Sequence, residues 1–162
     1  MSQALHPAVP LSANARPTLG RGVHDLVADV VRDRPDTTAV MERPTGQRVT
    51  YRQLWDRSGR LAGTLADLGV GRGDVVAVAQ PRGVDLVVAF LGILRAGATY
   101  LPVDDHAPAD RVAAMLAQAG AEVAVVSADT LGPVPAAHLV ASPRDGDPVS
   151  PRAVAVGGDD PA

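Results

Sequence analysis

The first run of hydrophobic positions has a helical period. Val23, Leu26, Val27, Val30 and Val31 fall at i, i+3, i+4, i+7 and i+8, which draws one apolar stripe along a helix that Pro35 stops. Thr38–Met41 and Gln47–Val49 flank Pro44-Thr45-Gly46, predicting a hairpin of two short strands. Leu54, Ser58, Leu61, Leu65 and Leu68 then step by four, three, four and three, the spacing of a second helix, and Gly69 stands where a left-handed cap would fall. Thr50 and Gln53 before it form the reciprocal capping box T-x-x-Q. From there the pattern alternates. Val75–Ala79 predicts a buried strand, and Val84–Arg95 a helix apolar nearly all round that Gly97 closes. Thr99–Val103 predicts a second buried strand. A helix opened by Pro108 follows, carrying Val112, Met115, Leu116 and Ala119 inward and ending at Gly120, and Val123–Val126 predicts a third strand. Strands alternating with helices of this length imply an α/β fold, a parallel sheet with helices on both faces.

The flanks differ in character. Residues 1–20 are rich in Pro, Ser and Ala with no apolar period and read as a loose leader. Residues 21–127 hold the α/β body. Residues 128–162 carry six prolines and four glycines, leaving room for short strands at His138–Ala141 and Ala153–Val156. A parallel sheet that stops after a few strands exposes an edge, and a helix as apolar as Val84–Leu94 needs cover on more than one side. The expectation is an incomplete portion of a larger fold that self-associates when isolated.

Composition narrows the function. At 162 residues and 46% hydrophobic the chain can bury a real core, which excludes a disordered protein. Fifteen basic against eighteen acidic residues give a net charge of -3 with no basic run, so no nucleic-acid partner is expected. All the basic residues are arginine, which removes Schiff-base lysines and phosphate-loop lysines together. The absence of cysteine excludes disulfides, thiolate nucleophiles and sulfur-ligated metal, and suits a cytoplasmic protein. The apolar stretch Val84–Leu94 falls short of the roughly 20 residues that span a bilayer, and the N-terminus lacks a secretory pattern, so no membrane partner is expected either.

Candidate chemistry is sparse. Gly69-Val70-Gly71-Arg72-Gly73 offers backbone for an anion, but it follows a helix and precedes a strand, the reverse of a nucleotide fingerprint, which favours a cap and turn. The embedded Arg72-Gly73-Asp74 matches an adhesion tripeptide at chance length. Gln80-Pro81-Arg82-Gly83 has the correct strand-to-helix order for an anion site, although Asp85 in the first turn would repel the anion while stabilising the helix dipole. Asp104-Asp105-His106 gathers possible metal ligands after a strand, without an evident fourth ligand, and Pro108 beside them argues for a loop-to-helix junction. His6, His24 and His138 have no nearby acid and nucleophile, and no serine sits in a G-x-S-x-G elbow. The residues themselves assign no catalytic, cofactor-binding or metal-binding position.

Two stretches carry a resemblance. Val49-Thr50-Tyr51-Arg52-Gln53-Leu54 is similar to the motif Leu-Thr-Tyr-x-Glu-Leu. Leu94-Arg95-Ala96-Gly97-Ala98-Thr99-Tyr100-Leu101-Pro102-Val103-Asp104 is similar to Leu-Lys-Ala-Gly-x-Ala-Tyr-Leu-Pro-Leu-Asp. These are the first two core motifs of the adenylate-forming enzymes, and within them of the amino-acid adenylation domains of nonribosomal peptide synthetases. The run from Leu68 to Val78, with Met115-Leu116 and Ala119-Gly120-Ala121, extends the likeness over about Val23–Val126. Asp105 and Ala107 depart from the family's usual proline and tyrosine. Physically, the first motif is a helix capping box and the second a helix end, a glycine cap and a buried strand, so both build scaffold.

The resemblance implies an N-terminal portion of the large subdomain of such an enzyme. The family's reaction joins a carboxylate to the α-phosphate of Mg-ATP, releases pyrophosphate, and passes the acyl group to a carrier-protein thiol. The family's phosphate loop, nucleotide contacts, substrate pocket and C-terminal lysine all lie downstream of this segment, and Asp159-Asp160-Pro161-Ala162 resembles the lead-in to that loop. No cofactor is therefore expected on this chain, Mg-ATP belonging to the complete domain. The expected partners are the downstream remainder of the domain and, for the parent, a carrier protein. Because the sequence begins at Met1 with no domain before it, the parent is expected to resemble a stand-alone or initiating enzyme. Three readings stand: a fragment or split subunit of an amino-acid adenylating ligase, a non-catalytic scaffold derived from that family, and an unrelated small α/β binding domain.

Overall fold

In the computed structural model the described residues are 22–104, 106–127, 134, 136 and 138–144, with the backbone of 153–155. Helix α1 (Val23–Asp33) leads to a hairpin of β1 (Thr38–Met41) and β2 (Arg48–Thr50). Then follow α2 (Tyr51–Asp67), β3 (Val75–Ala79), α3 (Val84–Arg95), β4 (Thr99–Pro102), α4 (Ala109–Ala119), β5 (Val123–Val126), β6 (His138–Ala141) and β7 (Ala153–Ala155). The periodic segments thus fold as their spacing predicts, with ends displaced by about a residue. The expected leader, residues 1–20, and most of the tail lie outside the described residues.

The capping box forms as the T-x-x-Q pattern requires. Gln53 N–H donates to Thr50 Oγ1 at 3.2 Å, and Thr50 N–H to Gln53 Oε1 at 2.9 Å, so two amides left over at the start of α2 are satisfied locally. At the other end Gly69 adopts φ +81°, a conformation that a side chain would resist.

The main sheet has the order β4-β3-β5-β6-β7. Its first four strands are parallel, and β7 runs antiparallel to β6. The sequence reading of a parallel sheet holds for those four, and β7 is an addition to it. A parallel return needs a crossover of about a dozen residues or more, usually built on a helix, and residues 142–152 are too few.

Alternation along each strand divides the core. Val76, Val78, Val125 and Val140 meet Leu61, Leu65, Ala89 and Ile93 of α2 and α3 on one face. Ala77, Ala79, Ala124, Val126 and Leu139 meet Val112 and Leu116 of α4 on the other. Both faces are therefore covered by helices, as the α/β class demands. Helix α3 also receives the extra cover that its all-round apolarity calls for, and this comes from within the chain. Val84, Val88 and Leu91 pack with Val49 and Leu54, backed by Val27, Val40 and Trp55.

One expectation is only half met. The stripe of α1 forms on a helix, but no residue of α1 is fully buried, and Val23 and Leu26 are 62% and 53% exposed. Val27 faces the third cluster, and Val30 and Val31 are half-buried, so the exposed part of the stripe is its first turn. The strand expected to be buried at Thr99–Val103 is instead the sheet's exposed edge: no residue of β4 is buried, because only β3 pairs with it, and Tyr100, 40% exposed, lies against Phe90 with ring centroids 4.4 Å apart. Among the described residues no helix is long and apolar enough to cross a membrane.

Candidate functional site

Ligands of open α/β sheets gather where the parallel strands end, at the point where strand order reverses. Here the chain leaves β3 for β4 on one side and returns to β5 on the other. Gln80 follows β3, Asp104 lies just beyond β4, and Ser127 and Ser142 follow β5 and β6.

A buried polar cluster occupies this edge. Arg57, on the inward face of α2, is 1% exposed; its Nε donates to the Pro143 carbonyl at 2.7 Å and its Nη2 to the carboxylate of Asp85. Arg144 Nε reaches the same carboxylate at 3.7 Å. Gln80, 8% exposed, donates through Nε2 to Ser142 Oγ at 2.8 Å, while its Oε1 has no partner among the described residues. The sequence reading set Asp85 against an anion at this turn. The structure supplies the reason that Asp85 is there: two arginines converge on it, and it sits in the first turn of α3 where a carboxylate complements the dipole.

The amino end of α3 is itself faced by an acid. A Cβ on Gly83 would collide with Glu42 Oε1, so the glycine leaves room for the hairpin's carboxylate beside the start of α3. Gln80–Gly83 accordingly serves as a turn closed by protein groups. Gly69–Gly73 does the same elsewhere, because Gly71 N–H donates to Asp74 Oδ2 at 2.8 Å and the loop's polar backbone is turned on itself.

Two of the sequence candidates are brought together. Arg82 lines a cleft of about 510 Å³ with Asp104 and His106, whose inner wall is Val78, Leu86 and Phe90. A second cleft, of about 500 Å³, lies across the same turn between Glu42, Asp85 and Arg144. Asp104 has a local duty, accepting from the His106 backbone N–H at 2.9 Å in the turn that precedes α4. Asp105 lies outside the described residues. His24 lies 3.7 Å from its neighbour Asp25, and His138 is carried in β6 opposite Val123, so neither joins the edge cluster. His6 lies outside the described residues. Among the described residues no three His, Cys, Asp or Glu side chains are grouped to hold a metal ion.

Sequence reasoning missed two arginines. Arg57 carries a signal, since it falls between Leu54 and Leu61 on the apolar stripe, where a charge demands a partner. Arg95 lies 3.6 Å over the Trp55 ring and donates to Ser58 Oγ at 2.8 Å and to the Trp55 carbonyl. Burial pulls its pKa below the usual arginine value, and Asp56 opposes that shift.

Known proteins share this architecture. Over 107 residues the chain is 46% identical to isonitrile lipopeptide synthase of Streptomyces coeruleorubidus, covering 66% of this chain and 7% of that protein. Over 111 residues it is 36% identical to bacitracin synthase 1 of Bacillus licheniformis, covering 68% of this chain and 2% of that protein. The chain thus spans a small fraction of these relatives' lengths. Among solved structures, the N-terminal subdomain of Klebsiella oxytoca NpsA bound to 3-hydroxybenzoyl-AMSN superposes with a TM-score of 0.65 at 27% identity, covering 75% of this chain and 30% of that one. The nonribosomal peptide synthetase FmoA3 gives 0.70 at 29% identity, covering 79% of this chain and 15% of that one. Residues 27–160 match the family described as AMP-binding enzyme, and the chain belongs to that family, corresponding to an N-terminal part of a nonribosomal peptide synthetase adenylation domain.

Proposed function

We propose that this chain is the N-terminal portion, as a fragment or a split subunit, of an amino-acid adenylating ligase, and that it is inactive until the downstream remainder of the domain joins it. In the reaction of the whole domain an amino-acid carboxylate oxygen attacks the α-phosphorus of ATP. The bond to the β-phosphate breaks, pyrophosphate leaves, and a carrier-protein thiol then displaces AMP from the acyl carbon. The family match over residues 27–160 carries the reading. The artificially fused Adenylation-PCP di-domain of NpsA-ThdA, similar at a TM-score of 0.66, supports a carrier protein as the parent's partner.

On this reading Mg-ATP belongs to the complete domain, and this chain supplies no phosphate-loop lysine to it. This chain's contribution is structural: residues 21–127 form the α/β segment, the leader 1–20 precedes it, and 128–162 add the short strands β6 and β7 and lead toward the phosphate loop.

Pyrophosphate exchange tests the reading. The chain alone should give no amino-acid-dependent exchange, and adding the remainder of an adenylation domain, in the same chain or as a separate one, should restore it. Exchange by the chain alone, or none after the remainder is supplied, overturns it; the second result leaves a scaffold.

A further inference from the structure

Residues 142–144, which follow β6, are held by side chains from α2, from α3 and from Gln80 just after β3. Arg57 Nε donates to the Pro143 carbonyl at 2.7 Å, Arg60 Nη2 to the Arg144 carbonyl at 3.0 Å, and Gln80 Nε2 to Ser142 Oγ at 2.8 Å. Ser142 Oγ in turn lies 3.4 Å from the Asp85 carbonyl. Of these groups Arg57 is the most deeply placed, and its second contact, with Asp85, fixes the guanidinium between α2 and α3. A buried cation that spends one donor on a backbone carbonyl 86 residues away is an unusual investment for a helix–helix interface.

Strand β6 is the last of the four parallel strands: it pairs with β5 on one side and with antiparallel β7 on the other, and it places Val140 in one core cluster and Leu139 in the other. We propose that Arg57 is a positioning residue, a latch that holds β6 and the chain leaving it against α2 and α3, and that β6 opens as a unit separate from β3 and β5 when the latch lets go. Its bonds are made in the closed state and broken in that opening, so they set how often β6 leaves the sheet. The inference rests on these contacts and is independent of the proposed activity.

Native-state hydrogen exchange on the full chain tests it. In the unaltered protein the amides of Leu139–Ala141 should exchange faster than those of Val76–Val78 and Val123–Val125, because β6 opens without global unfolding. Arg57→Met removes the donors and keeps an apolar stem, and should speed the β6 amides about tenfold to a hundredfold. Asp85→Asn keeps an acceptor while removing the charge, and should shift the same amides in the same direction by less, which serves if Arg57→Met does not fold. Equal exchange of all three strands in the unaltered protein would show that β6 is no separate unit. Unchanged β6 amides in a folded variant whose β3 and β5 amides accelerate would show that the Arg57 bonds survive the opening. Either result overturns the latch.

Discussion

Arg57 and Asp85, on neighbouring helices, form an ion pair in which the guanidinium side chain is 1% exposed and the carboxylate 27% exposed. That asymmetry decides which partner matters more when the other is removed. Asp85→Ala leaves a buried cation without its counter-charge and is expected to cost about 3 kcal/mol, the low end for breaking such a pair because Asp85 is partly hydrated. Arg57→Met leaves a carboxylate that water and Arg144 still reach, and is expected to cost less, about 2 kcal/mol. Urea denaturation ranks them. A lower midpoint for Arg57→Met would show that the bond to Pro143, rather than the charge pair, dominates.

The capping box at the start of α2 makes a second prediction. Thr50→Ala removes the oxygen that accepts from Gln53 N–H and is expected to cost about 1 kcal/mol. Gln53→Glu keeps the back bond to Thr50 N–H and places a negative charge in the first turn, for a gain of a few tenths of a kcal/mol. Thermal melting should therefore move the two variants in opposite directions. A loss of stability in Gln53→Glu would mean that the helix dipole is outweighed by Asp56 nearby on α2.

Much of the fold was legible because its signals are local. The Leu54-to-Leu68 spacing and the Thr50/Gln53 box need only their own few residues to declare a helix and its start. The stripe of α1 shows the limit: periodicity says that Val23 and Leu26 share an apolar face, and nothing about what covers it. Strand β7 shows another, since alternation carries no sign of strand direction. The edge cluster was the least legible part. Gln80 and Asp85 stood out by position, but their partners Ser142 and Arg144 come from beyond β5, a juxtaposition that only the sheet order creates.

Three helical glycines should respond differently to alanine. At Gly92 a new Cβ would lie 2.7 Å from Leu61 Cδ2, with Leu61 Cβ and Cγ also within 3.0 Å, so α2 and α3 must separate. Overpacking there should cost about 1–3 kcal/mol despite the better helix former. Gly63 has nothing within 4 Å, and Gly63→Ala should gain up to about 1 kcal/mol. At Gly59 the obstacle is the Arg95 guanidinium at 2.9 Å, the movable end of a long side chain, so helix propensity and lost stacking should nearly cancel. A destabilised Gly63→Ala would show that this face of α2 is covered.

The Arg95–Trp55 stack can be read directly, because Trp55 is the sole tryptophan of the sequence. Arg95→Ala uncovers one face of the indole and removes the donor to Ser58 and to the Trp55 carbonyl, so emission should shift to longer wavelength and stability fall by about 1 kcal/mol. Gly59→Ala should reproduce the spectral change with little loss of stability, separating the stack from its energetic weight. The pH response follows from the sign of the shift. Burial lowers the folded-state pKa of this cation, so the fold disfavours the charged form, and stability would rise rather than fall as pH climbs through that value. Arginine keeps its proton far above neutrality, so between about pH 6 and 9 the guanidinium stays charged and the Trp55 spectrum should stay constant. A spectral transition inside that window would mean that a group other than Arg95 governs the indole's surroundings, and would remove the stack as the explanation of both variants.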